Sequence, residues 1–476
     1  MAALLISSIP PAIGGDSAVS AKPEKNVIAK QPESNPLSFL DGKLVFDVQE
    51  RLRMEVRDNN FDFNKSINAI TDDTWLLQRF RLGMAVKPVD WLKIYAQGQD
   101  SREIDSDRLD IPGRFGAEGD DAFDLRQAYI ELADYKAFPL GLKVGRQELI
   151  YGDERLVGAF DWNNFGRVFD AVKIRFQQPK FWVEAFGSRV VLTERDRVNP
   201  DDSHDWFSGV YFSTTYIPIQ TTDFYVFYRD KGDNNPDLFP VNALSTVGAG
   251  NGSASRFAAI GTRIKSTPGK LAGFDYEGEF VYETGDVWAT NHSSKEMALS
   301  AFAAHVGAGY TFPKCPMKTR IGVEYNYASG DHNPADGTSQ SFQNLFPTNH
   351  KVLGQMDLFA WKNMHDPRVE LKLSPFKNFT FQIDYHALFL ADTSDYWYRA
   401  NGITPVRTIT PTKKDVRTIG ASSFAGHEID VKAGYQVCKN LKLEAGYSHF
   451  FAGSYLKDTG AHNDADFGYA QATLQF

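Results

Sequence analysis

Hydrophobic and polar residues alternate one by one along many short stretches of the chain. From Lys43 to Arg57, apolar side chains share one face, broken only by Glu50, and charged or amide side chains share the other. A period of two predicts an extended strand, because successive side chains of a strand point to opposite faces. At ~3.3 Å per residue, about ten residues of this stretch are enough to cross a bilayer core. The stretch therefore predicts a membrane-spanning strand whose apolar face meets lipid.

The same alternation recurs to the end of the chain. It returns, among other places, at 79–86, 92–97, 127–132, 172–176, 274–283, 320–327, 368–373, 379–386 and 428–435. We count about 18 such strands, an even number, as single-chain bacterial outer-membrane barrels have. The predicted fold class is therefore all-β, a transmembrane antiparallel β-barrel over residues 41–476.

The connections between these strands alternate in length, as they do in outer-membrane barrels. Short links are expected near 87–90, 178–180, 217–221, 313–317, 374–378 and 438–440. Long polar links are expected at 58–74, 102–122, 152–166, 192–204, 231–254, 286–296, 330–354, 392–423 and 454–464. Short links predict periplasmic turns and long ones extracellular loops. A water-soluble sandwich gives no reason for such regular alternation.

The last predicted strand, Ala465 to Phe476, ends on an aromatic residue at the final position. In a soluble sheet such an apolar edge strand invites aggregation, whereas in a barrel the last strand pairs with the first. We therefore expect this strand to pair with Lys43–Arg57 and to bring Gln471 and its polar neighbours beside Arg53.

Composition supports a barrel and excludes two other classes. Aromatic residues make up 13% of the 476 residues, and no run of 18 apolar residues follows the N-terminal segment, which excludes helical membrane spans. The net charge of −9 is spread along the chain, so no basic surface for nucleic acid is expected.

Residues 1–21 predict a signal-peptide remnant, with a disordered leader as the alternative. Residues 22–40 predict a flexible periplasmic linker.

The sequence predicts no catalytic residue, cofactor or metal site. It contains no H-E-x-x-H motif, nucleophile elbow or phosphate-binding loop. Acidic runs at 230–237 and 458–466 offer oxygen ligands but lack the spacing of a calcium-binding loop, which favours solvated loops. Cys315 and Cys438 fall in turns about four strands apart, at roughly 4.8 Å per strand, so we expect two free thiols.

If the apolar faces meet lipid, the polar faces line a wet lumen, where charged side chains avoid the cost of burial in a dry core. The predicted pore-lining residues are Arg51, Arg53, Arg79, Arg81, Lys93, Arg146, Lys173, Arg175, Glu277, Glu279, Glu283, Arg320, Glu324, Asp384, Glu428 and Asp430. The first strands supply mainly the basic members and the later strands mainly the acidic ones. Rings of charge set channel selectivity, although cross-strand pairing that stiffens the wall is an alternative role. The arginines of the first two strands are the residues expected to touch a solute.

Several segments resemble the alginate export family of outer-membrane porins. The similar segments are GRQELIYGDERLVG at 145–158, FDAVKIRF at 169–176, YNYASGD at 325–331, LFPTNHK at 345–351, DLFAWKN at 357–363, GHEID at 426–430 and FFAGSYL at 450–456. The resemblance extends from Leu44 to Phe476. The resemblance implies an 18-stranded barrel in the outer membrane of a Gram-negative bacterium. The best-known members of that family pass a polyuronate outward through an arginine-rich lumen.

Three functions are compatible with this sequence. The first is a passive channel for hydrophilic, including anionic, saccharides or small solutes. The second is a dedicated polysaccharide exporter that works with periplasmic partners, and the third is a structural or adhesive barrel plugged by loops 330–354 and 392–423. In each case the expected partners are outer-membrane lipid and, through the Phe476 strand, the barrel-assembly machinery.

Overall fold

Strands form wherever the alternation predicts them. This computed structural model describes residues 36–65, 72–107, 119–195, 197–232, 254–288, 296–407 and 420–476. The barrel strands are β1 (Leu44–Asp58), β2 (Asp73–Val89), β3 (Leu92–Ile104), β4 (Asp121–Ala133), β5 (Leu140–Gln147), β6 (Phe169–Gln177), β7 (Phe181–Val191), β8 (Asp201–Thr214), β9 (Gln220–Lys231), β10 (Ser255–Ser266), β11 (Phe274–Trp288), β12 (Glu296–Thr311), β13 (Arg320–Ala328), β14 (Met364–Leu373), β15 (Phe379–Phe389), β16 (Phe424–Cys438), β17 (Leu441–Ala452) and β18 (Ala465–Gln475).

These strands form one closed antiparallel sheet. Each strand pairs with the next along the chain, and β18 pairs back with β1, with Gln471 opposite Arg53. Beyond β18, the backbone N–H of Phe476 donates to the Val48 oxygen at 2.9 Å. The strand count and the predicted pairing of the two ends are confirmed. Closure satisfies the backbone groups that an edge would expose to lipid.

Little other regular structure is present among the described residues. Two-residue strands lie at Ser38–Phe39, against the start of β1, and at Thr338–Ser339, beside β12. Short helical turns span Leu40–Gly42, Asn349–Lys351 and Ser454–Thr459. The predicted signal remnant and linker, except for residues 36–40, lie outside the described residues. None of the helices described is both long and apolar enough to span a bilayer.

The two faces of the wall separate lipid-facing from lumen-facing side chains. Apolar residues such as Val144 and Val172 point outward and are 41% and 48% exposed, whereas their charged neighbours Lys143 and Lys173 point inward and are half-buried. The turns at one rim are short and the loops at the other are long, as predicted. Cys315 and Cys438 are free thiols at the short-turn rim.

The predicted inward position of Arg146 is wrong. Arg146 lies opposite Asp170 and forms an ion pair with it at 2.9 Å. The two residues share the outward face of Val144 and Val172, because Gly145, between them, faces the lumen opposite Ala171. Arg146 therefore lies outside the barrel near the loop rim, where an ion pair with Asp170 is compatible with the headgroup region.

Candidate functional site

Three long loops fold back into the lumen and define its interior. Loop A comprises residues 148–168, loop B residues 329–363, and loop C residues 390–423, of which 390–407 and 420–423 are described. Their apolar side chains form most of the buried cluster inside the barrel. Leu149, Val157 and Trp397, for example, have no exposed surface. The lumen is therefore not lined by wall residues alone.

Loop A covers the basic wall formed by β1 and β2. The backbone oxygen of Asp161 accepts hydrogen bonds from Arg51 Nη1 at 2.7 Å and from Arg79 Nη1 at 3.0 Å. The Asp161 carboxylate pairs with Arg81 at 2.7 Å and with Arg79 at 3.1 Å. These arginines use their donors on the loop, so they fix loop A instead of facing open solvent.

Asp161 is the acidic counterpart of these arginines. Its side chain is 55% exposed to the lumen. Enclosure alone would raise its pKa, but the guanidinium groups of Arg79, Arg81 and Arg51 hold the pKa of Asp161 well below its ordinary value. Loop A thus places a permanent negative charge in the lumen beside the basic wall.

Trp162 joins the basic wall to loop B. The guanidinium of Arg53 lies 3.7 Å from the ring centroid of Trp162, and the imidazole of His350 stacks on the same ring at 3.8 Å. Arg53 also donates to the Trp162 oxygen at 2.6 Å. Tyr469 of β18 packs edge-on against this ring. The contact ties loops A and B to the seam between β1 and β18.

The other end of loop A reaches the acidic wall. Nη2 of Arg155 lies 2.9 Å from Nε2 of His305 and 3.3 Å from Oε1 of Glu277, and Glu279 and Glu324 complete the surroundings at 3.9 and 4.0 Å. Ligand atoms of Glu277, His305 and Glu324 lie within 4.8 Å of one another, a spacing suited to a metal ion. The Arg155 guanidinium already supplies the positive charge there, so we assign this cluster to holding loop A.

A second ion-pair group holds the same end of loop A. Asp153 pairs with Arg263 at 2.6 Å and with Lys265 at 2.7 Å. Arg263 also pairs with Asp223, and Lys265 with Glu277. Although burial would raise it, the pKa of Asp153 is lowered by these two cations. Loop A therefore runs from one charged wall of the lumen to the opposite one and is fixed at both.

Loops A and B are joined to each other along their length. Val157 and Phe346 form a parallel β-bridge. Glu154 accepts hydrogen bonds from the Thr348 hydroxyl at 2.8 Å and from Lys351 Nζ at 2.9 Å. The two loops form one layer across the lumen, and loop C packs on loop B through Trp397 and Phe359.

The remaining predicted pore-lining residues face inward, but most are paired within the wall. Lys93 donates to Tyr129, Lys173 and Arg175 contact Glu184, Arg320 pairs with Asp275 and Glu370, and Asp384 pairs with Arg368. Glu283, Glu428 and Asp430 instead accept backbone N–H groups of loop B. The acidic half of the lumen is thus largely neutralised by arginines or bonded to loop backbone.

A cavity lies between the loops and the wall on the side of β8 to β12. Its volume is about 420 Å³. It is lined by basic residues, by acidic residues and by aromatic rings: Arg167, Arg229, Lys231, Lys362, Asp205, Asp331, Asp395, Phe257, Trp288, Phe346, Tyr396 and Tyr398. Asp205 pairs with Arg229 through both oxygens. Within the described residues, no carboxylate lies within ion-pair distance of Lys231.

Comparison with known proteins gives a family for this sequence and solved structures with a similar fold. The sequence matches the alginate export family over residues 43–470. The chain belongs to the alginate export family. Among solved structures, this family member resembles Acinetobacter baumannii OccAB2, with a TM-score of 0.59, 10% identity, and coverage of 91% of this chain and 98% of that one.

Two further porins show the same fold. Pseudomonas aeruginosa OpdK, solved with vanillate, has a TM-score of 0.57 at 10% identity and covers 90% of this chain and 98% of its own. Pseudomonas aeruginosa OprD has a TM-score of 0.55 at 10% identity, covering 91% and 95%. No match to a curated protein sequence was found. This alginate export family member thus has the barrel fold of Gram-negative outer-membrane porins.

The alternation of apolar and polar residues did not predict that loop A lies in the lumen. Asp153, Arg155, Asp161 and Trp162 lie in a segment expected to be a polar external loop. Its sequence nevertheless carries apolar residues at short intervals, among them Leu149, Leu156, Val157 and Phe165. An apolar loop next to charged strands is the signal that could have indicated folding into the lumen.

Replacing Trp162 with alanine should loosen the layer formed by loops A and B. The variant loses the stacking on His350 and the cation–π contact with Arg53, and we expect a loss of about 2 kcal/mol in stability. Proteolysis of the folded protein in detergent should then cleave loop A or B faster than in the wild type. Trp91→Ala, at an exposed position in the short turn after β2, is the control. Equal cleavage of both variants would contradict the role of Trp162.

Proposed function

We propose that the protein is a passive outer-membrane channel for small hydrophilic solutes, with a preference for anionic saccharide-like compounds. The observation that carries this proposal is the cavity between the loops and the β8–β12 wall. It combines four cationic side chains with three acidic ones, and Asp205 is already engaged by Arg229. Burial lowers the pKa of Arg167 to about 9, so this residue remains charged at neutral pH.

The lining of the cavity suits a solute with both polar and flat apolar surfaces. Ligand sites commonly have volumes of about 300–1,000 Å³ and combine aromatic walls with a few placed polar groups. Lys362 lies 4.3 Å from the ring of Tyr398, and Arg229 lies 4.4 Å from the ring of Phe346. Such cation–aromatic pairs can present donors to a carboxylate while a ring contacts a sugar face.

The comparisons support a small-solute channel without fixing the solute. OpdK, whose fold is similar, was solved with vanillate, a small carboxylate. The family name favours the second candidate, a polysaccharide exporter with periplasmic partners. Under either function, the exposed apolar belt contacts outer-membrane lipid, and Phe476 at the short-turn rim presents the strand end to the assembly machinery.

Conductance of the purified protein in planar bilayers tests the proposal. We expect stepwise current, an anion-favouring reversal potential in a salt gradient, and partial block by galacturonate that galactose does not reproduce. Absence of current would contradict both channel functions and favour the loop-plugged barrel, which the inward folding of loops A, B and C makes the structural alternative. Block by both sugars alike would contradict the anionic preference.

Lys231→Gln tests the cavity itself. Lys231 is 5% exposed and lines the cavity, and the substitution removes one positive charge while it keeps a similar side-chain length. We expect the dissociation constant for galacturonate block to rise about fivefold. The reason is that one unit charge at ~4 Å in water contributes about 1 kcal/mol to binding of the anion. Lys314→Gln, exposed in the short turn after β12, should behave as wild type. Unchanged block in Lys231→Gln would exclude this cavity as the anion site.

A further inference from the structure

Two carboxylates of β16 are buried together beneath loop B. Glu428 and Asp430 are 0% and 1% exposed and occupy successive inward positions of the strand. Oε1 of Glu428 accepts the Met356 N–H at 3.0 Å, and Oδ2 of Asp430 accepts the Gln355 N–H at 3.2 Å. Because neighbouring backbone donors bind them, the two carboxylates lie close to each other.

The other oxygen of each carboxylate has no hydrogen-bond partner among the described residues. Oε2 of Glu428 and Oδ1 of Asp430 are buried and unbonded. A buried charged oxygen without a partner costs several kcal/mol. The two carboxyl groups lie within hydrogen-bond reach of each other, so either a proton that they share or a bound cation is needed between them.

Two neutral side chains at the same place also lack partners. Ser448 on β17 lies directly opposite Asp430, is fully buried, and its hydroxyl makes no hydrogen bond in the described structure. The side-chain amide of Gln355 is likewise buried and unbonded, and its oxygen lies 3.0 Å from where a Cβ would stand at Gly446, the next inward position of β17. Both side chains lie beside the acidic pair, because Ser448 is opposite Asp430 and the backbone N–H of Gln355 is bonded to Asp430.

Protein cations near this group do not balance its charge. His386 lies 3.8 Å from Asp430, but its other ring nitrogen bonds Asp366 at 3.0 Å. The single His386 ring therefore already serves two carboxylates, Asp366 and Asp430. The charged groups that act most strongly on Glu428 are Asp430 and Asp357, which are also acidic.

We propose that Glu428, Asp430 and Ser448, with the Gln355 amide oxygen, bind a calcium ion that fixes loop B to the barrel wall. Ca²⁺ accepts six to eight oxygens in flexible geometry and takes carboxylate, amide and water oxygens together. A proton shared by the two carboxyl groups would leave the Ser448 and Gln355 oxygens without a partner, whereas a hard cation binds all four.

Loop B is shaped to approach this site closely. Gly354 has φ +95°, and a Cβ there would lie 2.6 Å from Oε1 of Glu428. Glycine therefore permits both the backbone conformation and the contact. The ion would hold the segment from Gly354 to Met356, next to His350 and Trp162, in the layer that crosses the lumen.

Calcium titration of the full chain, refolded in detergent without lipopolysaccharide and treated with EDTA, tests the proposal. By calorimetry with CaCl₂ we expect one ion per chain, and by thermal unfolding an upward shift that EDTA reverses. Glu428→Gln and Asp430→Asn should weaken binding by more than about tenfold, because each removes a charged ligand. Glu444→Gln, on the inward face of β17 and bonded to Lys442, should bind as wild type.

Two results would overturn the proposal. The first is an absence of heat and of a thermal shift in the wild type, which would leave a shared proton as the compensation for the pair. The second is wild-type affinity in both Glu428→Gln and Asp430→Asn, which would place the ion elsewhere. The wild-type measurement needs no variant, so it decides the question even where a variant does not refold.

Discussion

Asp161→Asn is expected to raise the anion-over-cation permeability ratio of the channel about fivefold. The substitution removes the carboxylate that pairs with Arg79 and Arg81 and leaves the guanidinium charges uncompensated beside the lumen. One unit charge at ~4 Å in water is worth about 1 kcal/mol, which corresponds to this factor. Reversal potentials in a salt gradient measure the ratio.

The pH dependence of the difference in permeability ratio between the wild type and Asp161→Asn follows from the lowered pKa of Asp161. A carboxyl group with a lowered folded-state pKa keeps its charge, and the stability it contributes, above the unfolded value of about 3.9. Both are lost only as the pH falls through the folded-state pKa. The difference between wild type and variant should therefore persist from pH 7 to about pH 4. Asp90→Asn, exposed in the turn after β2, is the control, and an unchanged ratio in Asp161→Asn would refute the role of Asp161.

Arg155→Met is expected to destabilise the folded barrel by about 3 kcal/mol. Arg155 is 5% exposed and, among the described residues, is the ion-pair partner of the buried Glu279 carboxylate; breaking a buried ion pair typically costs 3–5 kcal/mol. Glu277 keeps its ion pair with Lys265, and Glu324 keeps its ion pair with Arg368. The 3.9 Å separation of Arg155 and Glu279, and the hydrogen bond that Glu279 keeps from the Tyr225 hydroxyl, place the expected loss at the lower end. Urea unfolding of the protein in detergent measures it, and conductance should rise as this end of loop A is released.

Arg256→Ala provides the matched comparison. Arg256 pairs with Asp286 at the loop rim, where both side chains are largely exposed, so its loss should cost at most about 1 kcal/mol. The double variant Arg155→Met with Glu279→Gln should recover part of the lost stability, because it removes the carboxylate that Arg155→Met leaves without an ion pair. Equal destabilisation by Arg155→Met and Arg256→Ala would contradict the assignment of Arg155 as the fixed end of loop A.

The wall of the barrel could be predicted because lipid imposes one rule on every strand. An apolar face must meet the hydrocarbon, so period two marks both the strands and their inward residues. The prediction fails where the backbone departs from that period. A register shift opposite Gln97 and Gly98 turns Arg126 into the lumen, where it donates to Gln97 at 3.0 Å, and the alternation did not identify it.

The interior of the barrel could not be predicted in the same way. The arginines of β1 and β2 were expected to face solute, but Asp161 to Phe165 cover them. Loops have no period, and their position depends on side-chain contacts between residues far apart in the chain. Arg53, Trp162 and His350 are a clear case, because each comes from a different part of the sequence. Segments 330–354 and 392–423 were named as inward loops, whereas 148–168 was not.

The seam between β1 and β18 bears on the order of folding. At that seam, Asn59 bonds to Asp464, 405 positions away, whereas the Arg51–Asp161 contact closes a loop of 110 positions. Closing the longer loop costs about 1.2 kcal/mol more in chain entropy by the logarithmic rule. Loop A is therefore expected to bind to β1 and β2 while the sheet is still open. It would then lie inside the future lumen before β1 pairs with β18, and it would not have to enter a closed barrel.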